Sequence, residues 1–399
     1  MDKTTLDNLK KAVSENLAQA KALSDDLHAH PEIAETEYES SKKIVAILKE
    51  HGFEVEYPFF EKELGYGTAF KAVLDCGEGP SVAILTEYDA LPVVGHACGH
   101  NLHGAMSVLA GVSLSKIKDS FKGKLYVIGT PAEEVVGAKI KMSSEGVFDE
   151  MALAVMIHSF SGIGSQPQMD LLNLRCFELE FFGKQAHAAA APWQGHSALA
   201  AARKFMDLVD ARRECFTPDV RVNSVVLSGG EAPNIIPAYT KLRTEFRTGS
   251  MGTLKTLDDT VRKCAAAAAM ALDCEVKIDA EILDFYDMVR VGAIEDAVAE
   301  LFTEVGEPVL PVSPPVGSSD MGNVSYRCPS VQPLMSIVDE NYPLHSPEFA
   351  EATLKDKALS TLERGAYVIG ALALKMFNDS DFCEKVAEEF KKSLKAKNG

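Results

Sequence analysis

Apolar residues recur every three or four positions near the start of the chain. Leucines and valines between residues 6 and 27 follow this spacing and predict an amphipathic helix that stops before Pro31. A second amphipathic helix is predicted over residues 38–51, with Gly52 placed to cap its C-terminus. Each helix has one apolar face, so both are expected to pack on a core.

Short apolar runs then alternate with helical patterns. Strands are predicted at residues 68–74, 82–85, 125–128 and 153–157, and a helix at about residues 102–117 lies between the second and the third. Such alternation is typical of an α/β fold with a largely parallel sheet. In these folds ligands bind at the carboxyl ends of the strands.

The pattern changes at residues 161–170, a stretch of Gly, Ser, Gln and Pro that we interpret as a hinge. The next elements are predicted as strand, helix, strand, strand, helix and strand, at residues 176–182, 197–211, 222–227, 241–246, 254–272 and 275–283. This order is typical of a small antiparallel sheet covered by two helices.

Helical patterns return after this unit, which therefore interrupts a larger domain. A helix is predicted at residues 294–305, a Pro-rich loop at 308–315 and a final helix at 353–377, before a Lys-rich terminus that we interpret as a solvated helix end. We predict an α/β fold with a mostly parallel-sheet outer domain, helices covering both faces, made of residues 1–170 and 286–399. The inserted α+β domain, with a four-stranded sheet and two helices, is predicted at residues 171–285.

Composition narrows the class of protein. The 399 residues are 46% hydrophobic and 25% charged, as in ordinary globular proteins, and the net charge of -18 argues against a nucleic-acid-binding surface. No apolar run approaches the roughly 18 residues that span a membrane, and the polar N-terminus lacks the apolar segment of a signal peptide. Eight scattered cysteines suggest free thiols. We expect a cytoplasmic protein with neither nucleic acid nor membrane as partner.

Cys98 and His100 are the first candidate metal ligands. Gly95 and Gly99 flank Cys98 and allow the backbone to turn sharply, so that both side chains aim at one point. Taken alone, such a pair is more often a buried cysteine and a capping histidine.

Further candidates follow predicted strands of the outer domain. Glu133 and Glu134 point in different directions, so that one can bind a metal while the other acts as a base, although such a pair more often begins a helix in solvent. His158 ends a predicted strand and His345 lies in a loop, and each alone has a commoner structural explanation. Together these S, N and O donors suit zinc or manganese.

The other histidines of the outer domain receive supporting roles. His28, His30 and His51 close predicted helices, where a cation stabilises the helix dipole. His96 and His103 flank the candidate ligands, and we interpret both as structural or supporting residues.

Motifs along nearly the whole chain resemble one family. They lie at residues 26–32, 87–92, 95–101, 131–134, 183–192, 229–237, 247 and 344–346. Taken in this order, they make the chain similar to the aminoacylase/carboxypeptidase-type metallopeptidase superfamily. The matching branch contains auxin-conjugate hydrolases, aminobenzoyl-glutamate hydrolase and β-alanyl-lysine dipeptidase-like amidohydrolases.

The resemblance implies a role for each matching residue. It implies two divalent metal ions per subunit, Mn²⁺ or Zn²⁺, with the ligands Cys98, His100, Glu134, His158 and His345. It also implies Glu133 as general base and Asp89 as the carboxylate that orients the site.

The inserted domain resembles a dimerisation or lid domain. In a homodimer of this kind, His187 acts on the active site of the partner subunit, and Asn234 and Arg247 bind the carboxylate side of the substrate. Val135 and Val136, in place of glycines after the paired glutamates, depart from the family pattern, as does Asn101, where auxin-conjugate hydrolases have Asp.

We therefore predict a metal-dependent amidohydrolase that cleaves a small N-acyl or aminoacyl amino acid conjugate with a free carboxylate. N-acyl amino acids, dipeptides with an unusual linkage and aryl amides all remain open as substrates. The alternative is a catalytically idle relative that only binds a metal or ligand. The presence of every ligand-type residue and of Glu133 argues against it.

Overall fold

The computed structural model describes residues 2–398. The first part of the chain forms α1 (Lys3–Ala29), α2 (Tyr38–Glu50), β1 (Glu54–Glu56), α3 (Glu61–Leu64), β2 (Phe70–Asp75), β3 (Ser81–Thr86), α4 (His100–Lys116), β4 (Lys124–Gly129), α5 (Ala138–Ser144), β5 (Leu153–Val155) and β6 (His158–Ser161). The middle part forms β7 (Asn173–Phe182), β8 (Ala186–His187), α6 (Ala198–Arg212), β9 (Arg221–Ser228), β10 (Ile235–Ile236), β11 (Tyr239–Thr248), α7 (Met251–Ala271) and β12 (Glu275–Phe285). The last part forms α8 (Gly292–Glu304), α9 (Met321–Ser325), β13 (Ser330–Val331), β14 (Leu334–Val338), α10 (Pro347–Ala352), α11 (Asp356–Asn378) and α12 (Ser380–Asn398).

The main sheet has six strands in the order β1-β2-β4-β3-β5-β13. Strands β4, β3, β5 and β13 are parallel to one another, and β6 pairs in parallel with β14. Strands β1 and β2 form an antiparallel edge. The predicted mostly parallel α/β sheet is confirmed, and its parallel strands direct their carboxyl ends to the same edge.

Helix α4 lies at the centre of the outer core. Its residues from His100 to Ser115 are buried, because α1 and α11 cover the helix on the side away from the sheet. Apolar residues therefore surround this helix instead of forming one stripe. Gly99 precedes the helix in a left-handed conformation (φ +87°), and a Cβ atom there would lie 2.7 Å from Oγ of Ser159. The glycine thus allows the turn that carries Cys98 to approach β6.

A second core belongs to the middle part of the chain. Its antiparallel sheet has the order β12-β7-β11-β9, and α6 and α7 pack on one face around Phe177, Phe181, Phe205 and Phe246. Alternate residues of β11 are buried against these helices. The predicted α+β unit of four strands and two helices is confirmed.

The structure corrects two predictions. The stretch at 161–170 is not a free hinge, because Ser165 and Gln166 are buried. Ser165 forms a β-bridge with Val309, and Gln166 forms one with Leu334. The predicted final helix is followed by a separate helix, α12, which packs on α8 and α11 through Phe382. Its many lysines and glutamates masked this apolar stripe in the sequence.

Two further properties concern the cysteines and the helices. All eight cysteines carry free thiols. Among the helices of residues 2–398, none has both the length and the apolar character that crossing a membrane requires.

Candidate metal centre

The predicted ligands of the outer domain meet at the carboxyl edge of the main sheet. Asp89 follows β3, Glu133 and Glu134 follow β4, and His158 begins β6. Cys98 lies in the turn before α4. Because β3 and β4 are parallel neighbours, the segments that follow them leave the sheet on the same side.

Cys98 and His158 face each other in the buried part of this cluster. The Sγ atom of Cys98 lies 3.4 Å from Nε2 of His158, while Nδ1 of His158 donates to the Ser159 carbonyl oxygen at 2.8 Å. That second bond leaves Nε2 with a free lone pair directed at the cysteine. Burial lowers the pKa of His158 to about 4, which keeps the imidazole neutral, as a metal ligand must be.

His100 is oriented by Asp89. Its Nδ1 lies 2.9 Å from the Asp89 carbonyl oxygen and 3.1 Å from Oδ1 of the same residue. The other carboxylate oxygen of Asp89 accepts the backbone N–H of Glu134 at 3.0 Å. Asp89 thus ties two candidate ligands to each other, and Nε2 of His100 remains buried without a hydrogen bond.

Glu134 and His345 form the more open part of the cluster. Oε2 of Glu134 lies 3.4 Å from Nε2 of His345, and Oε1 of Glu134 is buried without a hydrogen bond. His345 has a left-handed backbone (φ 66°), and its N–H donates to the Ala97 carbonyl oxygen at 2.9 Å. This bond holds the distant His345 loop against the Cys98 turn.

The arrangement fits divalent metal ions. Ligand atoms of Cys98, Glu134 and His345 lie within 4.8 Å of one another, and so do those of His100, Glu133 and Glu134. A buried imidazole nitrogen and a buried carboxylate oxygen without hydrogen bonds are costly unless a cation binds them. The mixture of sulfur, nitrogen and oxygen donors suits zinc or manganese.

A buried ionic network lies directly behind these ligands. Lys139 donates to Oε1 of Glu87 at 2.7 Å and to Oδ1 of Asp320 at 2.6 Å. Oε2 of Glu87 lies 3.4 Å from both Nε2 of His100 and Nδ1 of His103. His103 in turn accepts the backbone N–H of Ser159 through Nε2 at 2.7 Å. His103 therefore links Glu87 to the start of β6, and its supporting role stays a prediction.

No role was assigned to Lys139 or to Asp320 from the sequence. Lys139 is one of two lysines in a short helix with ordinary apolar residues, and neither its burial nor its carboxylate partners are visible from the sequence. Asp320 lies 181 residues away from it. From the sequence, Glu87 was included only as the first residue of the motif at residues 87–92.

The electrostatics of this network bear on Glu133. Burial raises the pKa of Glu133 well above its usual range, and the charges of Glu87 and Asp320 raise it further. Burial also acts to raise the pKa of Glu87, but Lys139 and His100 outweigh it and hold that pKa well below its usual range. Glu87 is therefore the permanent anion of the pair, and Glu133 is the carboxyl group that can hold a proton.

Glu37 supports the turn that carries Glu133. Its two carboxylate oxygens accept the N–H of Ala132 at 2.9 Å and the Thr68 hydroxyl at 3.0 Å. Ala132 has a left-handed backbone (φ 58°), a conformation that a non-glycine residue adopts only when its surroundings hold it. Burial, with the nearby charge of Asp89, raises the pKa of Glu37 to about 7.

A cleft of about 350 Å³ opens onto the cluster. Cys98, Glu133, Glu134, His158 and His345 line one part of it. Glu245 and Arg247 of β11 also line the cleft, and Nε of Arg247 donates to Oε1 of Glu245 at 2.7 Å. The cleft therefore joins the candidate metal centre to the inserted sheet.

His187 and Asn234 do not line this cleft. They lie beside each other on the β8–β10 ribbon, where the N–H of Ala188 donates to the Asn234 carbonyl oxygen at 2.9 Å. Nδ1 of the exposed His187 accepts the N–H groups of Ala189 and Ala190 at 3.2 and 3.1 Å. An imidazole that accepts through Nδ1 carries its proton on Nε2, so His187 presents a hydrogen-bond donor outwards.

Known proteins resemble parts of the chain or nearly the whole of it. A family model described as a peptidase dimerisation domain matches residues 171–273. The mouse protein named Xaa-Arg dipeptidase is 32% identical over 98% of this chain and 94% of its own length. The Bacillus subtilis protein named N-acetyl-L-cysteine deacetylase is 27% identical over 59% of this chain and 59% of its own. The crystal structure of Bacillus subtilis YXEP, described as a dinuclear metal binding peptidase from the M20 family, has a TM-score of 0.67 at 21% identity and covers 91% of this chain and 99% of that one.

Proposed function

We propose, from the premise that this chain belongs to the M20 peptidase family, that Glu133 is the general base of a site with two divalent metal ions. The chain is a metal-dependent hydrolase that cleaves the amide bond of small conjugates. The observation that carries the proposal is the pair of buried atoms without hydrogen bonds, Nε2 of His100 and Oε1 of Glu134, beside the Glu133 carboxyl group.

Five side chains are the proposed ligands: Cys98, His100, Glu134, His158 and His345. Imidazole and carboxylate groups suit both Mn²⁺ and Zn²⁺, whereas the thiol group of Cys98 favours zinc. When bound, the ions supply Lewis acidity, which polarises the scissile carbonyl group and lowers the pKa of water. Asp89 accepts the hydrogen bond from Nδ1 of His100, so Nε2 is the atom with which His100 would bind a metal.

Glu133 moves the proton in this proposal. Its carboxylate takes a proton from the attacking water and delivers it to the nitrogen of the leaving amine. The hydrogen bonds of Lys139 to Glu87 and Asp320 lie behind it, and Glu37 holds the turn before it. The proton therefore moves within a rigid, largely buried group of side chains.

Arg247 is the proposed anchor of the substrate carboxylate. A guanidinium group matches a carboxylate in shape and charge, and Arg247 lines the same cleft as Glu133. Dipeptides and N-acyl amino acids both carry the required carboxylate. Because the mouse relative is named for Xaa-Arg dipeptides, dipeptides that end in arginine are the first substrates to test.

His187 and Asn234 are proposed to act from the partner subunit of a homodimer. Neither lines the cleft of its own subunit, and the segment that carries both falls within the match to the dimerisation-domain model. Strand β9 is an edge of the inserted sheet and exposes Val225, Val226 and Leu227, a surface suited to a second copy. The outward Nε2–H of His187 suits the oxyanion that forms at the scissile carbonyl, and Asn234 adds a hydrogen bond to the substrate carboxylate.

An amine-release assay tests the function. The panel contains an N-acyl amino acid, a β-alanyl dipeptide, a dipeptide that ends in arginine and aminobenzoyl-glutamate, each with and without chelator. Glu133→Gln should bind the metals with wild-type stoichiometry and lose at least about a hundredfold in kcat, since general-base catalysis contributes that much or more. Glu145→Gln, which changes an exposed carboxylate beyond α5, is the matched control.

Two results would contradict the proposal. Substantial turnover by Glu133→Gln on a good substrate would remove Glu133 from the role of base. Stoichiometric metal without turnover of any panel member would favour the catalytically idle relative instead.

A further inference from the structure

Glu245 is a carboxylate in the cleft that the proposed chemistry leaves without a task. Three carboxylates line the cleft among the described residues, and Glu133 and Glu134 belong to the metal centre. Glu245 comes instead from β11 of the inserted sheet, two residues before Arg247, so both side chains leave the strand on the same face. Its side chain is 31% exposed and therefore reaches the solvent of the cleft.

The hydrogen bond between Glu245 and Arg247 leaves donors on Arg247 and one acceptor oxygen on Glu245 available. It joins Nε of Arg247 to Oε1 of Glu245 at 2.7 Å. Among the described residues, the two Nη groups of Arg247 and Oε2 of Glu245 have no other partner. The Nη groups can therefore take a substrate carboxylate while Oε2 stays open to a donor.

Charge balance decides which donor fits. Once a substrate carboxylate binds Arg247, this part of the cleft holds two carboxylates and one guanidinium group. A neutral substrate side chain leaves one negative charge unbalanced, and an acidic side chain leaves two. A cationic side chain balances the charges, and an unbalanced charge becomes costlier as the substrate displaces water from the cleft.

The wall beside Arg247 suits the stem of a long cationic side chain. Leu174 on β7 lies directly opposite Arg247 in the strand register, and Phe285 on β12 lies opposite Leu174. Both apolar side chains line the cleft. Lysine and arginine pack their methylene groups on such surfaces while the charged end meets an anion.

We propose that Glu245 is the specificity-determining residue for the carboxyl-terminal residue of the substrate and selects a lysine- or arginine-like cationic side chain. The inference rests on the proposed hydrolase function and deepens it. It predicts a preference for cationic over neutral and for neutral over acidic residues, so aminobenzoyl-glutamate is a poor substrate of this chain.

The test compares substrates that differ in charge and little in shape. Ala-Arg and Ala-citrulline form the matched pair, because citrulline is a neutral analogue of arginine, and Ala-Glu supplies the acidic case. We expect wild-type protein to prefer Ala-Arg over Ala-citrulline by about tenfold or more in kcat/KM, the usual worth of a hydrogen bond to a charged group. In Glu245→Gln this ratio should fall to within about threefold.

Glu180→Gln is the matched control variant. Glu180 lies on β7 of the same sheet and bonds to Tyr239, but it does not line the cleft. Its removal should leave the Ala-Arg to Ala-citrulline ratio at the wild-type value.

The outcomes separate this inference from the proposed function. An unchanged ratio in Glu245→Gln overturns the inference, and so does an equal loss on all three dipeptides, which would mean that Glu245 only orients Arg247. If wild-type protein hydrolyses N-acyl amino acids, loses this activity when a chelator is added and shows no preference for Ala-Arg, the proposed function stands and the inference falls.

If wild-type protein hydrolyses nothing, calorimetric binding of L-arginine and L-citrulline to metal-loaded protein decides. Tighter binding of arginine that Glu245→Gln abolishes supports the inference, and equal binding overturns it.

Discussion

At the scale of single residues, Lys139 shows how buried charges compensate one another in the interior of the protein. Its ammonium group is fully buried and bonds to two buried carboxylates, Glu87 and Asp320. An isolated buried charge is expensive, and these partners offset that cost only while all three are present. The network is therefore a sensitive point for stability as well as a support for the candidate metal centre.

Lys139→Met should destabilise the folded protein by about 3–5 kcal/mol, because it leaves two buried carboxylates without their cation. Urea unfolding of chelator-treated protein measures the effect without a contribution from metal binding. Lys141→Met is the control, since Lys141 lies two positions along α5 and bonds to the exposed Glu145. Equal losses of unfolding free energy in the two variants would show that the buried salt bridge stabilises the protein no more than the exposed one.

Glu37 should make stability depend on pH. Its pKa in the folded protein is about 7, above its ordinary value of 4.5, so the folded state holds this proton where the unfolded state releases it. The contribution of Glu37 is complete below about pH 4.5 and is lost as the pH rises through about 7. Glu37→Gln lacks this titration.

The free energy of unfolding of wild-type protein, relative to Glu37→Gln, should therefore fall by up to about 3 kcal/mol between pH 4.5 and pH 8. Urea titrations of both chelator-treated proteins across this range provide the measurement. The exposed Glu78→Gln serves as control. A difference between wild type and Glu37→Gln that rises with pH, or stays constant, would contradict the assignment.

At the scale of elements, the short helix α9 joins the two parts of the fold. Asn323 accepts the N–H of Tyr286 at 3.2 Å and donates to the Asp284 carbonyl oxygen at 2.8 Å. Asp320 immediately precedes the helix and bonds to Lys139. Helix α9 thus anchors the chain as it leaves β12 and holds one carboxylate of the buried network.

Gly322→Ala should disturb this junction. A Cβ atom at Gly322 would lie 1.8 Å from the Tyr286 carbonyl oxygen, which is backbone and cannot turn aside. Overpacking of this kind costs about 1–3 kcal/mol, which thermal unfolding will detect. Gly252→Ala is the control, because nothing lies within 4 Å of its Cβ position in α7, and alanine there should be neutral or slightly stabilising. A Gly322→Ala protein as stable as wild type would show that α9 shifts without cost.

At the scale of the whole molecule, the candidate site draws on both cores. The outer core supplies the proposed ligands and Glu133, and the inserted sheet supplies Glu245 and Arg247 to the same cleft. His187 and Asn234 lie elsewhere on the surface of their own subunit. A complete site in the proposed mechanism therefore requires two copies of the chain.

Mixed dimers test this arrangement. Subunits with His187→Ala and subunits with Glu133→Gln should each be nearly inactive alone. After subunit exchange, random pairing gives about a quarter of wild-type activity, because half of the dimers carry one intact composite site. Native mass spectrometry verifies the exchange, and verified hybrids without recovered activity would rule out a shared site.

Much of the fold was predictable because its signals are local. The apolar spacing from residues 6 to 27 predicted α1, and alternating strands and helices predicted the parallel sheet with its inserted unit. The separation of α11 and α12 was missed, because charged residues dilute the apolar stripe of α12 and no proline or glycine marks the break. The buried pairing of Ser165 was missed because its partner, Glu307, lies 142 residues away.

The α/β class, the inserted sheet and the segments that bring Cys98, His100, Glu134 and His158 to one edge follow from local sequence patterns. Parallel strands end on the same side, so residues that follow them meet whatever the details of packing. In contrast, the bridge of Lys139 to Glu87 and Asp320 and the position of Glu245 beside Arg247 in the cleft emerge only when the whole chain is folded. The tertiary structure also placed His187 outside the cleft of its own subunit. These relations depend on how separate elements pack, and no periodicity within a single element encodes them.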